Sequence, residues 1–357
     1  MITRKSLGIL VAALAVLIAA SWMTSRSRYG AVSGGGFESL LAKPLDPPSV
    51  QTIRAWVGAL PDSTVEITRK GDGWAVASRF GWKGKKDLVD RLLEDVKSLR
   101  GELRSSSASV LEDYQIDDKK GMHLVGLGPS GSEVFHVIVG KTSLKGGSFV
   151  RRVNSNDVFL CEASLRSPFG LWGEEVRAPD PKRWIELRVN ETTRQDVDRI
   201  VLHDGTSETV LEKVFQLAPA DTAKPKATAD STKKGEAAPA KPAGPTLDRN
   251  NWTWKPDKAG AIDKAKADGI LSTLCNLYAT DVVDPKNADQ YGLAAPKRWA
   301  DLVLKDGKTI SVKFGNAIDA EKMVYLKIGD DGLPAKIYQS TVDRVFTKRS
   351  ELKPKTT

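Results

Sequence analysis

Residues 65–100 read VEITRKGDGWAVASRFGWKGKKDLVDRLLEDVKSLR, and this stretch decides the architecture. Val65-Glu66-Ile67-Thr68 alternates apolar and polar side chains, the period of a half-buried strand. Gly71-Asp72-Gly73 supplies a tight turn, and Trp74-Ala75-Val76 returns as a second strand. From Lys85 to Arg100 the apolar side chains fall at 88, 89, 92, 93, 96 and 99, so one helix face is buried and the other is charged. Gly101 is a stop signal. A hairpin feeding an amphipathic helix opens an α+β unit.

Downstream, Leu111 to Ile116 reads as a loop, followed by strands at Met122–Leu127, Val134–Val139 ending at Gly140, Phe149–Val153 and Val158–Cys161. The same order then recurs. Val197–Leu202 reads as an opening strand and Trp252-Thr253-Trp254 as the next, with a helical stripe at Ile262, Ala267, Ile270, Leu271, Leu274, Leu277 and Tyr278. Tyr291-Gly292-Leu293 stands where Tyr114-Gln115-Ile116 stood, and strands at Trp299–Lys305, Thr309–Phe314 ending at Gly315, Met323–Ile328 and Ala335–Tyr338 close the unit. Trp74 lies 40 residues before Tyr114, and Trp252 lies 39 before Tyr291. The expected fold is α+β: a transmembrane helix, then two tandem repeats, each a mostly antiparallel sheet with one helix in the order β-β-α-β-β-β.

Boundaries follow from composition. Residues 1–29 form an anchor, 30–60 a flexible tether with a short helix, 61–165 the first repeat, 166–196 a proline-punctuated connector, 197–347 the second repeat and 348–357 a basic tail. Inside the second repeat, 218–246 is Ala/Pro/Lys-rich and cannot bury a core, so it is expected to be a disordered insertion between the first and second strands.

The run Leu7–Met23 carries no charge and is preceded by Arg4 and Lys5, the layout of a single-pass membrane helix or of a secretory signal. Trp22, Arg26 and Arg28 suit an uncleaved anchor, since bulky residues follow the best small-residue cleavage site at Ala19-Ala20-Ser21. Arg4, Lys5 and the free amine outweigh Arg26 and Arg28, which puts the amino terminus in the cytoplasm by a narrow margin. The body is then expected outside the cytoplasm, in the periplasm if the cell is a Gram-negative bacterium held by its inner membrane. The net charge of +9 resides in 1–29, 218–246 and 348–357, leaving a body neutral in total, so nucleic acid is not an expected partner.

The landmarks resemble those of the bacterial family called domain of unknown function 4340. Trp74, Tyr114 and Gly140 carry the resemblance in the first copy; Trp252, Trp254, Tyr291, Gly292, Leu293, Gly315, Tyr325 and Tyr338 carry it in the second. The first copy departs from the pattern with Gln115-Ile116 in place of Gly-Leu. The resemblance implies a membrane-anchored extracytoplasmic protein, similar in some members to auxiliary parts of ABC-transporter systems of the gliding-motility type. It implies no catalytic residues.

Side chains that carry chemistry are sparse. His123 and His136 fall opposite one another if Gly128–Gly131 is a simple turn, with Glu133 on the other face, and no third ligand is spaced nearby; no metal is expected. Cys161 ends a strand and Cys275 lies on a helix stripe, both reading as small buried hydrophobes. Asp117-Asp118, Glu174-Glu175 and Asp330-Asp331 sit in turn contexts. There is no Gly-x-x-x-x-Gly-Lys-Ser/Thr phosphate loop, Gly-x-Ser-x-Gly elbow or His-Glu-x-x-His pair, so neither catalytic residues nor cofactors are expected. Trp82, Trp172, Trp184 and Trp299 fall near turns and element edges and form the candidate interaction surface. The expected function is a non-enzymatic, membrane-anchored accessory or scaffold protein with a protein partner in a membrane complex. The alternative is a module binding cell-envelope glycan or peptide.

Overall fold

The computed structural model describes residues 37–144, 146–217 and 247–354. The apolar run 7–23 and the insertion 218–246 lie outside the described residues. Among the described residues, no helix is long and apolar enough to cross a membrane. The chain divides between Glu186 and Leu187 into two compact units, each mostly antiparallel sheet with few helices.

The first unit contains β1 (Glu38–Ser39), β2 (Thr52–Val57), β3 (Val65–Lys70), β4 (Gly73–Val76), β5 (Trp82–Lys83), α1 (Lys86–Lys97), β6 (Arg100–Ser105), β7 (Met122–Leu127), β8 (Glu133–Thr142), β9 (Ser148–Arg152) and β10 (Val158–Cys161). They form one sheet in the order β1-β6-β10-β9-β8-β7-β2-β3-β4-β5. Register fixes its faces. Ile53 pairs with Ile67 and Ile67 with Val76, so these share a face with Trp74, whose indole donates to Asp90 on α1 at 3.3 Å. Val89, Leu92, Leu93 and Val96 of α1 are buried.

The second unit contains β11 (Arg188–Asn190), β12 (Val197–Asp204), β13 (Ser207–Leu217), β14 (Leu247–Trp254), α2 (Lys264–Cys275), β15 (Leu277–Tyr278), β16 (Asp281–Val282), β17 (Arg298–Leu304), β18 (Thr309–Ile318), β19 (Met323–Ile328), β20 (Ala335–Tyr338) and α3 (Gln339–Val345). Its main sheet runs β14-β13-β12-β17-β18-β19-β20-β16. Ile200, Leu211, Leu302, Phe314 and Leu326 form one core with Ile270, Leu271 and Leu274 of α2 and Val342 and Val345 of α3.

Several boundaries need correcting. Residues 52–57 are not tether: β2 sits mid-sheet between β3 and β7, because Ile53, Ala55 and Val57 alternate inward and are buried. A strand is likewise missing from the expected second repeat at 207–217. The insertion therefore interrupts the β13–β14 hairpin, between the second and third strands of that unit's main sheet. Instead of two strands before the helix, the first unit runs five and the second four, three of them in its main sheet. The connector 166–196 is no loose linker either: Phe169, Trp184 and Ile185 are buried within the first unit. The basic tail is docked at least to Leu352, which is fully buried, and Arg349 grips Asp257 through two 2.7 Å contacts.

Candidate functional site

The four tryptophans separate by burial. Trp184 is fully buried against Phe169, and Trp82 is 8% exposed with its indole donating to the Glu186 carbonyl at 2.7 Å. Neither belongs to a surface; their apolar rings fill the space left where the sheet ends, as large aromatic area favours. Trp172 is 52% exposed, with the Arg183 guanidinium 4.9 Å above its ring. Trp299 is half-buried and stacks on His203 at 4.2 Å.

That stack lies on the face of the second sheet turned away from α2, because Leu202 and Ala300, its neighbours along each strand, point into the core. The first sheet carries its own pair on the face turned away from α1: Trp56 on β2 and His123 on β7, stacked at 4.8 Å with rings 8° apart. Sequence reasoning missed Trp56 because its strand was read as tether. Nearby, His123 Nδ1 lies 3.1 Å from His136 Nε2, and His136 Nδ1 lies 3.2 Å from Glu133 Oε2.

Here the expected register is corrected. His123 pairs with Ile138 and His136 with Val125, so the imidazoles are diagonal neighbours. A bulge puts Leu127 opposite Glu133 while Gly126 faces Phe135, leaving Val134 as the extra residue. The bulge turns Glu133 onto the histidine face, where simple alternation would have sent it away. Among the described residues, no group of three or more His, Cys, Asp and Glu side chains is placed to hold a metal ion.

The family landmarks have structural reasons. In the first unit the Tyr114 carbonyl presses onto Gly140, where a Cβ would lie 2.4 Å from it; in the second, the Tyr291 carbonyl presses onto Gly315, where the distance would be 2.0 Å. Tyr114 then packs on Phe149 and Tyr291 on Tyr325, with centroids 4.4 and 4.2 Å apart. Gly292 takes φ +67°, and Gln115 adopts the same left-handed region at +52°. Gln115 offsets that cost with its side chain, which accepts from buried Arg166 at 3.2 Å and donates to the Glu174 carbonyl at 2.7 Å. Leu293 is buried beside Gly315, while Tyr338 is 55% exposed.

The helices are tied to the hairpins by a carboxylate. Asp90 accepts from Trp74 and Lys86 in the first unit; Asp268 accepts from Trp252 at 3.0 Å, Trp254 at 2.9 Å and Lys264 at 2.9 Å in the second. Burial pulls the Asp268 pKa up, but these donors outweigh it and hold the carboxyl below its ordinary value. Beneath the indoles lies Lys213, buried, its Nζ 4.0 Å from the Trp252 ring and donating to the Arg194 carbonyl. Burial pulls its pKa down to about 8. Burial also pushes the thiols of Cys161 and Cys275 up to about 12 and about 11, which leaves both as weak nucleophiles. Both cysteines are buried and free.

Among the described residues, each sheet ends in strands that have one neighbour: β14 pairs with β13 alone, and Val214, Leu217 and Leu247 expose aliphatic side chains along that hairpin. Unpaired backbone groups beside exposed aliphatics are what strand addition from a partner uses.

No curated protein and no solved structure matches the chain. A family model described as Domain of unknown function (DUF4340) matches residues 74–296, from the indole that bonds α1 to the proline just past Tyr291-Gly292-Leu293. That match covers more than half of the 357 residues, and the chain belongs to the DUF4340 family.

Proposed function

We propose that this chain is a membrane-anchored, extracytoplasmic accessory or scaffold protein without catalytic activity, built from a tandem duplication and serving a membrane complex such as an ABC transporter of the gliding-motility type. The observation that carries the reading is the uncharged run Leu7–Met23, flanked by Arg4, Lys5, Arg26 and Arg28, placed ahead of two sheet-rich units with open edges. Support for the duplication comes from side chains that recur at corresponding places: Trp74–Asp90–Lys86 and Trp252–Asp268–Lys264, Tyr114 on Gly140 and Tyr291 on Gly315. Arg69 over Trp74 and Lys213 over Trp252 add a third pair. The exposed aliphatics of the β13–β14 hairpin favour a protein partner. An envelope glycan is less well supported, since Trp82 and Trp184 are withdrawn from solvent.

The test is purification of the full-length chain from native membranes in mild detergent. A membrane subunit should accompany it in fixed stoichiometry. A chain lacking residues 1–29 should stay folded, leave the membrane fraction and lose that partner. Recovery of the full-length chain alone from the membrane would overturn the accessory role.

A further inference from the structure

Arg166 opens a turn in the first unit that is pinned by buried neighbours. Leu165, Phe169 and Leu171 are withdrawn from solvent, and the Arg166 carbonyl accepts from the Phe169 and Leu171 amides at 3.0 and 3.3 Å. The Leu165 amide donates to the Ser148 hydroxyl at 3.1 Å, which ties the backbone to the sheet. The side chain is drawn in with it, and Arg166 is 2% exposed. Its Nη1 donates to Gln115 Oε1, a neutral amide, at 3.2 Å. Its Nε is shut off from solvent and meets no acceptor among the described residues. None of the carboxylates described there acts on it: burial alone pulls the guanidinium below its ordinary pKa. Arginine stays protonated inside proteins, so it cannot shed the charge as a buried lysine does.

We propose that the Nε–Nη2 edge of Arg166 binds a small monovalent anion, chloride. A guanidinium grips anions along an edge where two N–H bonds run parallel. Gln115 takes Nη1 and leaves the Nε–Nη2 edge with no protein acceptor among the described residues. Water satisfies N–H groups but leaves the charge, and a buried charge calls for a counter-ion. Size follows from access. A side chain so nearly closed off admits an ion of atomic dimensions, not a carboxylate or phosphate carried on a larger molecule. Nor does the fold itself call for the cation. The left-handed turn at Gln115 recurs in the second unit at Gly292. There neutral Asn316 stands against the glycine and donates to the Gln290 carbonyl at 3.0 Å.

The full-length chain in mild detergent should melt at rising temperature, saturably, as chloride replaces gluconate at constant ionic strength. The chloride nuclear magnetic resonance line should broaden over the same range. Arg166→Met should weaken binding roughly 10- to 100-fold, the worth of a hydrogen bond to a charged group, and make melting independent of chloride. Arg177→Met removes an exposed arginine paired with Glu175 and should leave both readings unchanged. If Arg166→Met does not fold, crystals of the full-length parent soaked in bromide carry the test: anomalous density should lie beside Nε and Nη2. Bromide soaks without density there would overturn the proposal. So would equal stabilisation by acetate or sulfate, or a chloride dependence that survives Arg166→Met.

Discussion

Lys213 shows what one residue hides. In sequence it is an ordinary strand lysine; only the cross-strand pairing with Trp254 and the neighbouring Trp252 make it a buried cation. Its folded pKa of about 8 lies below the ordinary value of 10.5. Below about pH 8 both states carry the charge, and the folded chain bears the full desolvation cost, at most about 3 kcal/mol before the ring contact offsets part of it. Between 8 and 10.5 the unfolded chain holds a proton that the folded chain has lost, so stability rises with pH; above 10.5 the cost is gone. Lys213→Met should therefore stabilise the chain by about 1–2 kcal/mol at pH 7 in urea unfolding. The gap should close as pH is raised through that window. A variant no more stable than the parent at pH 7 would show that the aromatic contacts already balance the burial.

At the scale of elements, the helices and the hairpin Val65–Val76 were legible because their periods are strong. The strands at 52–57 and 207–217 were harder for different reasons. Thr52–Val57 follows the Pro44–Pro48 segment, whose composition masked an inward Ile53-x-Ala55-x-Val57 pattern. Ser207–Leu217 exposes Val214 and Leu217, so burial, which the sequence does not carry, breaks its alternation. The bulge at Val134 leaves no distinct mark on the sequence, and it alone decides which way Glu133 faces. The glycine landmarks, by contrast, were visible by position, and the structure supplies their cause in the pressing tyrosine carbonyls. Gly140→Ala and Gly315→Ala should each cost about 1–3 kcal/mol, since a methyl group must push backbone aside. Gly269, exposed on α2 with open space where a Cβ would stand, should behave oppositely: Gly269→Ala should gain about 1 kcal/mol. Equal effects at the three positions, read as urea midpoints, would refute the close-approach account.

For the whole molecule, the α+β class was legible and the cluster of His123, His136 and Glu133 was not, because it is assembled by register between strands and not by spacing along the chain. The β13–β14 hairpin carries one more consequence. Leu217 and Leu247 are paired partners, so 29 residues leave and return at adjacent points of one ladder. The core of the second unit takes Ile200 and Leu211 from before that stretch and Leu271, Leu302 and Phe314 from after it. A single protease cut between 218 and 246 should thus give two bands under denaturing conditions and one species in gel filtration. Separation of the pieces under native conditions would contradict it. The protein would then be a natural split system: two polypeptides, each carrying part of one core, that hold together without the peptide bond between them.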